Sequence, residues 1–423
     1  MNQSSMPQQS SSQFSTPSQF SGTLYDIRWN EVCLPLILVR ALRVSVLVRV
    51  LGLSLVGVLL TEWGWSWFDQ IFESGAAHLT PLTDLLPYQT TSGLVERATD
   101  WTSWRDPLTC AWSWLSEPLV RSARLDSGWQ QSMVLILSGI WAIVVWALLG
   151  GAISRIAALY LTRGETLGPL MALKEAFQKW PALIGATLIP LIGSALLALP
   201  MVLAGLMLRS DFMALVIGLC WIVVILWGFV LAVILIGLLI GWPLMWATVG
   251  VERTDAFDGV SRCYAYVYQR PMHLILYLAL AIALGWLGQF GVTYFALSAA
   301  SLGEWAVSWG AGRDTLATLL APVAMEASGV ELDAADGVSG LVVSGAAGIR
   351  FWKATLRLGV ASYAVAYLWS ASVGIYLLLR RQIDATEMDE VVIDEGSEES
   401  LHGLPPLHAD PSGVPNIDAT GGA

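Results

Sequence analysis

Six apolar runs constrain this chain more than any other feature: residues about 44–61, 129–149, 182–208, 212–248, 272–298 and 356–379. A helix of roughly twenty apolar residues crosses the hydrocarbon of a bilayer. Lipid leaves no water to satisfy an open backbone, so runs of this length predict helices that satisfy their own peptide groups. The expected fold is therefore all-α, a polytopic transmembrane bundle of about six spans. Composition agrees. Hydrophobic residues make up 55% of the chain and charged residues only 13%, against roughly a quarter charged in soluble domains. Mean hydropathy is +0.62. The 21 tryptophans fit the headgroup zone, where an indole keeps one polar edge wet.

The ends read differently from the middle. Residues 1–30 are Ser- and Gln-rich and predict a disordered tail. Residues 31–381 form the membrane domain, and residues 382–423 a disordered acidic tail. The N-terminal residues have neither a basic segment nor an apolar core of a cleaved signal, so the first span is expected to act as an uncleaved anchor. The net charge of −11 comes in large part from Asp384, Glu387, Asp389, Glu390, Asp394, Glu395, Glu398 and Glu399. No basic stripe is present to neutralise phosphates, so a nucleic-acid partner is not expected. Cys33, Cys110, Cys220 and Cys263 are scattered and predict no disulfide framework.

Lys and Arg in short loops stay on the cytoplasmic side. Arg28, Arg40 and Arg43 precede the first span, and Arg155, Arg163, Lys174 and Lys179 follow the second. Arg253, Arg262 and Arg270 follow the fourth, and Arg380 and Arg381 follow the sixth. Six spans put all of these on one side, with both termini cytoplasmic and the protein in the cytoplasmic (inner) membrane. The opposite segments, 62–128 and 301–355, carry more acid than base. The first holds Trp63, Trp65, Trp67, Trp101, Trp104, Trp112 and Trp114, and predicts short helices lying on the outer surface. The second predicts a small cap or mobile loop.

The third and fourth runs are separated by little more than Arg209–Ser210–Asp211, so they form an antiparallel hairpin. The fourth is far longer than a span needs and is expected to tilt, kink or project. Pro243 is the expected kink. Gly237 and Gly241 share a helix face on which another backbone can approach closely, and are the candidate packing residues.

A weak duplication links two connectors. Arg163-Gly-Glu-Thr-Leu and Arg253-Thr-Asp-Ala-Phe each follow a span, and each connector ends at the same separation in a proline, Pro181 or Pro271. Between them lie two amphipathic helices. Leu170, Leu173, Phe177 and Trp180 share a face in the first, and Val260, Tyr264, Val267 and Tyr268 in the second. Glu175 precedes Lys179 by four residues, and Asp258 precedes Arg262 likewise, an order that supports a helix. Both helices are expected in the inner interface, aromatics towards lipid and charges in water. Such repeats build transporters around a central site, and they also build helical bundles with no transport role.

Residues 153–287, about a third of the chain, carry Val251-Glu252, Asp255-Ala256-Phe257 and Ser261-Arg262 between two spans. This pattern resembles uncharacterised bacterial membrane proteins related to the membrane domain attached to some glycerophosphodiester phosphodiesterases. The resemblance implies a multi-span bundle. It implies no catalytic residues, because that membrane domain has no catalytic motif and its soluble phosphodiesterase domain has no counterpart here.

No catalytic site is expected. The sequence holds no HExxH, GxSxG or GxxxxGKS pattern. Of the histidines, His78 falls in the outer loop, His273 at a span entrance, and His402 and His408 in the tail, so no metal site is expected. No cofactor is implied, and the Gly340–Gly348 stretch reads as flexible loop. The candidate lipid or anion contacts are Arg49, Arg163, Arg253 and Arg262. Arg49 lies inside the first span, where it either snorkels to the inner headgroups or binds an anionic lipid or substrate. Gln289, Thr293, Tyr294, Tyr363 and Tyr367 form a candidate polar seam between the fifth and sixth spans. No buried Asp, Glu or Lys gives a proton or sodium relay. The expected function is a non-enzymatic scaffold or accessory subunit, with membrane lipids and a membrane-protein partner as its contacts. The alternatives are a permease for a lipid-like or small amphipathic molecule and, behind it, an intramembrane lipid enzyme.

Overall fold

A computed structural model describes residues 35–72, 79–86, 106–123, 128–312, 316, 340–384, 386, 407–409 and 415–417. Arg28, Cys33, His78, Trp101, Trp104, His402 and the acids from Glu387 to Glu399 lie outside the described residues, as do the N-terminal tail and most of the C-terminal one. Six of the described helices are long and apolar enough to cross a membrane. The chain is a multi-pass helical membrane protein.

The helices are α1 (Leu36–Ser45), α2 (Val48–Ile71), α3 (Leu82–Leu85), α4 (Pro107–Ser122), α5 (Trp129–Thr162) and α6 (Pro169–Gln178). They continue with α7 (Trp180–Met207), α8 (Asp211–Leu219), α9 (Trp221–Glu252), α10 (Ala256–Gln269), α11 (Pro271–Ala311) and α12 (Gly340–Ile383). Within the tail, β1 (Leu407–Ala409) pairs antiparallel with β2 (Pro415–Ile417).

Helix ends follow local chemistry. Asp106 caps α4, its Oδ1 accepting from the Leu108 and Thr109 amides at 2.9 and 3.0 Å, and Pro107 fills the first turn. Asp255 caps α10, accepting from the Asp258 amide at 2.8 Å. Pro169 and Pro271 stand in the first turns of α6 and α11. α9 ends at Arg253, whose φ of 57° is the only positive value among the described non-glycine residues.

Several spans differ from their sequence reading. The first begins at Val48, because the chain breaks at Val46–Leu47 and leaves α1 as a separate helix. The second runs on to Thr162, carrying Arg155 inside the helix rather than in a loop. The fourth continues through Pro243, and its interruption comes at Cys220 instead, between α8 and α9. Residues 301–311 and 340–355 extend α11 and α12, so Gly340–Gly348 is helix. α4 does not lie on a surface: Leu108, Trp114 and Leu115 are buried where it packs between α5 and α12.

α12 is the axis of the bundle. Its stretch Val360–Leu379 is enclosed by α1, α2, α4, α5, α9 and α11. Tryptophans fill the middle. Trp369 of α12 stacks on Trp246 of α9 at 4.8 Å and on Trp146 of α5 at 6.2 Å, and Trp114 of α4 joins Trp146 to Trp65 of α2. These rings are core, not headgroup anchors; Trp63, Trp67, Trp129, Trp305, Trp309 and Trp352 are exposed. Gly57 admits the Trp146 ring, which a Cβ there would meet at 2.5 Å.

Away from the end that carries α6 and α10, the bundle divides into two hairpins. The outer halves of α7, α8 and α9 present Leu196, Leu199, Val202, Phe212, Leu219, Trp221 and Phe229 outward. The far halves of α11 and α12 are instead joined by an ion pair between Lys353 and Glu304 at 2.6 Å.

Candidate functional site

Among the described residues, the buried charged side chains gather at the end where the two connectors lie. Arg155, inside α5, donates from Nε to Glu175 Oε2 of α6 at 2.7 Å and from Nη1 to the Gly250 carbonyl of α9 at 3.3 Å. Arg253, at the end of α9, donates to the Glu175 carbonyl and to Gln178 Oε1, each at 2.9 Å, and its Nη1 stands 3.9 Å from Glu175 Oε2. Glu175 and both arginines are buried. One carboxylate thus ties α5, α6 and α9 together.

A second group stands beside the first. Glu252 accepts from the Tyr376 hydroxyl of α12 at 2.6 Å and pairs with Arg380 at 3.0 Å and Arg262 at 2.5 Å. Arg262 also donates to Asp258 one turn earlier at 3.0 Å. Burial works against the Arg262 charge, but the Asp258 hydrogen bond together with Glu252 outweighs it and holds the guanidinium above its ordinary range. Tyr266 donates to Asp384 at the end of α12; burial and that hydrogen bond both push its phenol upward. The second group ties α9, α10 and α12.

The sequence candidates fall as follows. Arg49 donates to the Leu167 carbonyl at 2.7 Å, so its guanidinium points towards the connector end and holds the first connector. Arg253 and Arg262 are members of the two groups above. Arg163 is the C-cap residue of α5 and is exposed. Gly237 and Gly241 face α10: a Cβ would meet Tyr264 at 2.6 Å from the first and Cys263 Sγ at 2.6 Å from the second. Cys263 is buried and donates to the Gly241 carbonyl at 3.0 Å, and burial pushes its thiol upward. Gln289 donates to Thr293 and to the Val360 carbonyl, and Tyr367 to the Ala281 carbonyl, so the seam between α11 and α12 exists; Tyr294 points outward and stacks on Phe290.

Two readings are corrected. Glu175 pairs with Arg155, not with Lys179, and it is buried where the connector's charges were expected in water. The amphipathic faces are also used in opposite ways. In α6 the buried residues are Ala172, Glu175 and Ala176, while Leu170 and Phe177 are exposed. In α10, Tyr264 and Val267 pack inward on α9.

The residues missed were Arg155, Glu175, Glu252, Tyr376 and Arg380. Arg155 was legible: apolar residues continue from Ile156 to Leu161, so the helix had reason to run past it. The pairing of Glu175 with Arg155 and Arg253 had no local signal. Among the described residues, no group of His, Cys, Asp and Glu is placed to hold a metal ion. No family model, curated protein or solved structure matches this chain.

Proposed function

We propose that this protein is a non-enzymatic scaffold or accessory subunit of a cytoplasmic-membrane complex, with the connector end and both termini in the cytoplasm. The observation that carries this reading is the double clasp. Glu175 and Glu252 join α5, α6, α9, α10 and α12 at one end. Removing one partner from a buried pair leaves an uncompensated charge and costs about 3–5 kcal/mol. Such a block favours a fixed platform over a machine that opens in each cycle. Arg40, Arg43, Arg163, Lys174 and Lys179 at the connector end support the orientation, since basic residues are retained inside. The likeness of residues 153–287 to an attached membrane domain without catalytic motif supports a role beside another protein. The acidic segment after Arg381 serves as the cytoplasmic docking or spacing element.

The test is native mass spectrometry of the full chain released from its own membrane in mild detergent. A stoichiometric membrane-protein partner is the expected result. A lone chain that drives solute uptake into vesicles would replace this reading with a permease. A reporter fused after Ala423 reads the orientation: alkaline phosphatase should be inactive there, and an active one would reverse the topology.

A further inference from the structure

A groove of about 490 Å³ opens in the side of the bundle, between α4 and α5 on one wall and α7 and α9 on the other. Two hydrogen bonds border it. Trp112 of α4 donates to the Leu239 carbonyl of α9 at 3.0 Å, from one wall to the other. Within the second wall, Trp246 of α9 donates to Thr187 of α7 at 2.8 Å.

The geometry points to a binding site for one acyl chain of a membrane phospholipid in this groove. Its wall is hydrocarbon and indole, with Trp146, Trp242 and Trp246 at the base. The hydroxyls in it are engaged: Ser116 donates to the Trp112 carbonyl at 2.8 Å, and Thr187 accepts from Trp246. Water needs two or more polar partners to be held, so it gains little here. The mouth is formed by Val120, Ile236 and Leu239, exposed by 47%, 50% and 41%. That mouth is continuous with the apolar outer face of α9, where Phe229 and Val233 also point outward. The surroundings of such a face are lipid chains, and the groove opens sideways into them. Its volume lies in the usual range of small-molecule sites, about 300–1,000 Å³. A helix of another protein, about 10–12 Å across with its side chains, is a poorer match than a single chain. In lipid the chain gains nothing by leaving water, so holding it rests on dispersion contact with the fixed indole walls. The site is independent of whether the protein is a scaffold or a permease.

The experiment uses the full chain in phosphatidylcholine vesicles doped with phosphatidylcholine carrying a diazirine in one acyl chain. After irradiation, adducts are mapped by peptide mass spectrometry. We expect adducts on groove residues such as Leu119 and Leu191 to exceed those at Phe229 several-fold. Ala232→Trp, which fills the groove from an exposed position, should remove the groove adducts and leave those at Phe229. Leu235→Trp gives the same reading if the first variant fails to fold. Equal labelling of groove and outer face, or groove labelling that survives both substitutions, overturns the proposal. So does a groove shielded by a second copy, seen as a dimer that Ala232→Trp dissociates. Displacement of the labelled phospholipid by a small fraction of polyisoprenyl lipid would also overturn it.

Discussion

The two connector helices began from the same sequence pattern and ended with opposite faces against the protein. α6 buries a narrow strip of Ala172, Glu175 and Ala176 and turns Leu170 and Phe177 outward. α10 buries Cys263, Tyr266 and Val267, and lays Tyr264 and Tyr268 over Gly237 of α9. The difference lies in the spans they face. With Arg163 matched to Arg253, Gly151 of α5 holds the place of Gly241 of α9, but Gly151 admits Leu183 of α7, with Ala176 of α6 in ordinary contact at 3.6 Å, whereas Gly241 admits Cys263 of α10. On either side of that glycine the partners diverge: α5 supplies Arg155, which draws a carboxylate inward, whereas α9 supplies Gly237, which admits the Tyr264 ring. A helical stripe shows that a helix has two faces. The neighbour decides which of them is covered.

The sharpest way to break the comparison is Glu175→Ala. It leaves Arg155 and part of Arg253 buried without their carboxylate, and should lower stability by about 3–5 kcal/mol. Thermal unfolding in detergent measures it, and an unchanged midpoint would mean that the clasp does not hold α6. Next in size is Gly237→Val, which drives a side chain into Tyr264. Overpacking of this kind costs about 1–3 kcal/mol and should lift α10 without disturbing α6. Hydrogen exchange that rises in 256–269 and stays level in 169–178 is the expected pattern.

A pH titration sharpens the same contrast. Burial, with Tyr268 and Cys263 close by, pushes the Tyr264 phenol up to about 12, from an ordinary value of about 10. The folded state therefore holds its proton more tightly than the unfolded one. The stabilisation is complete below pH about 10 and is lost as pH rises towards 12. The α10 contact should loosen across that window, and Tyr264→Phe should weaken the dependence, leaving the share of Cys263 and Tyr266; the difference in tyrosinate absorbance between the two proteins follows it. Cys263, buried with its thiol pushed upward, should stay unlabelled by maleimide in detergent, while exposed Cys220 reacts. The smallest effect is expected from Leu170→Gln. The residue is 82% exposed, and surface changes of this kind stay within about 0.5 kcal/mol. A large destabilisation would show that α6 is covered on its outer face after all.

Hydropathy alone determined the class, the number of crossing helices and the hairpin at Arg209–Asp211, because lipid admits few alternatives for apolar runs of this length. Gly237 and Gly241 were legible as a close-approach face, and Asp255 as a cap, since both depend on local spacing. Span ends were legible only in part: Arg155 looked like a loop residue because a lone charge in an apolar run is costly until a partner is known. That partner, Glu175, sits on another helix, and Arg253 joins it from a third. Tertiary structure decided these pairings, the insertion of α4 into the bundle, and the enclosure of α12 by six helices. It also turned several tryptophans from expected interface anchors into a core stack. The physical reason is one of range. Periodicity and caps act within a few residues of the chain, whereas a buried charge or ring is satisfied by whatever the fold brings beside it.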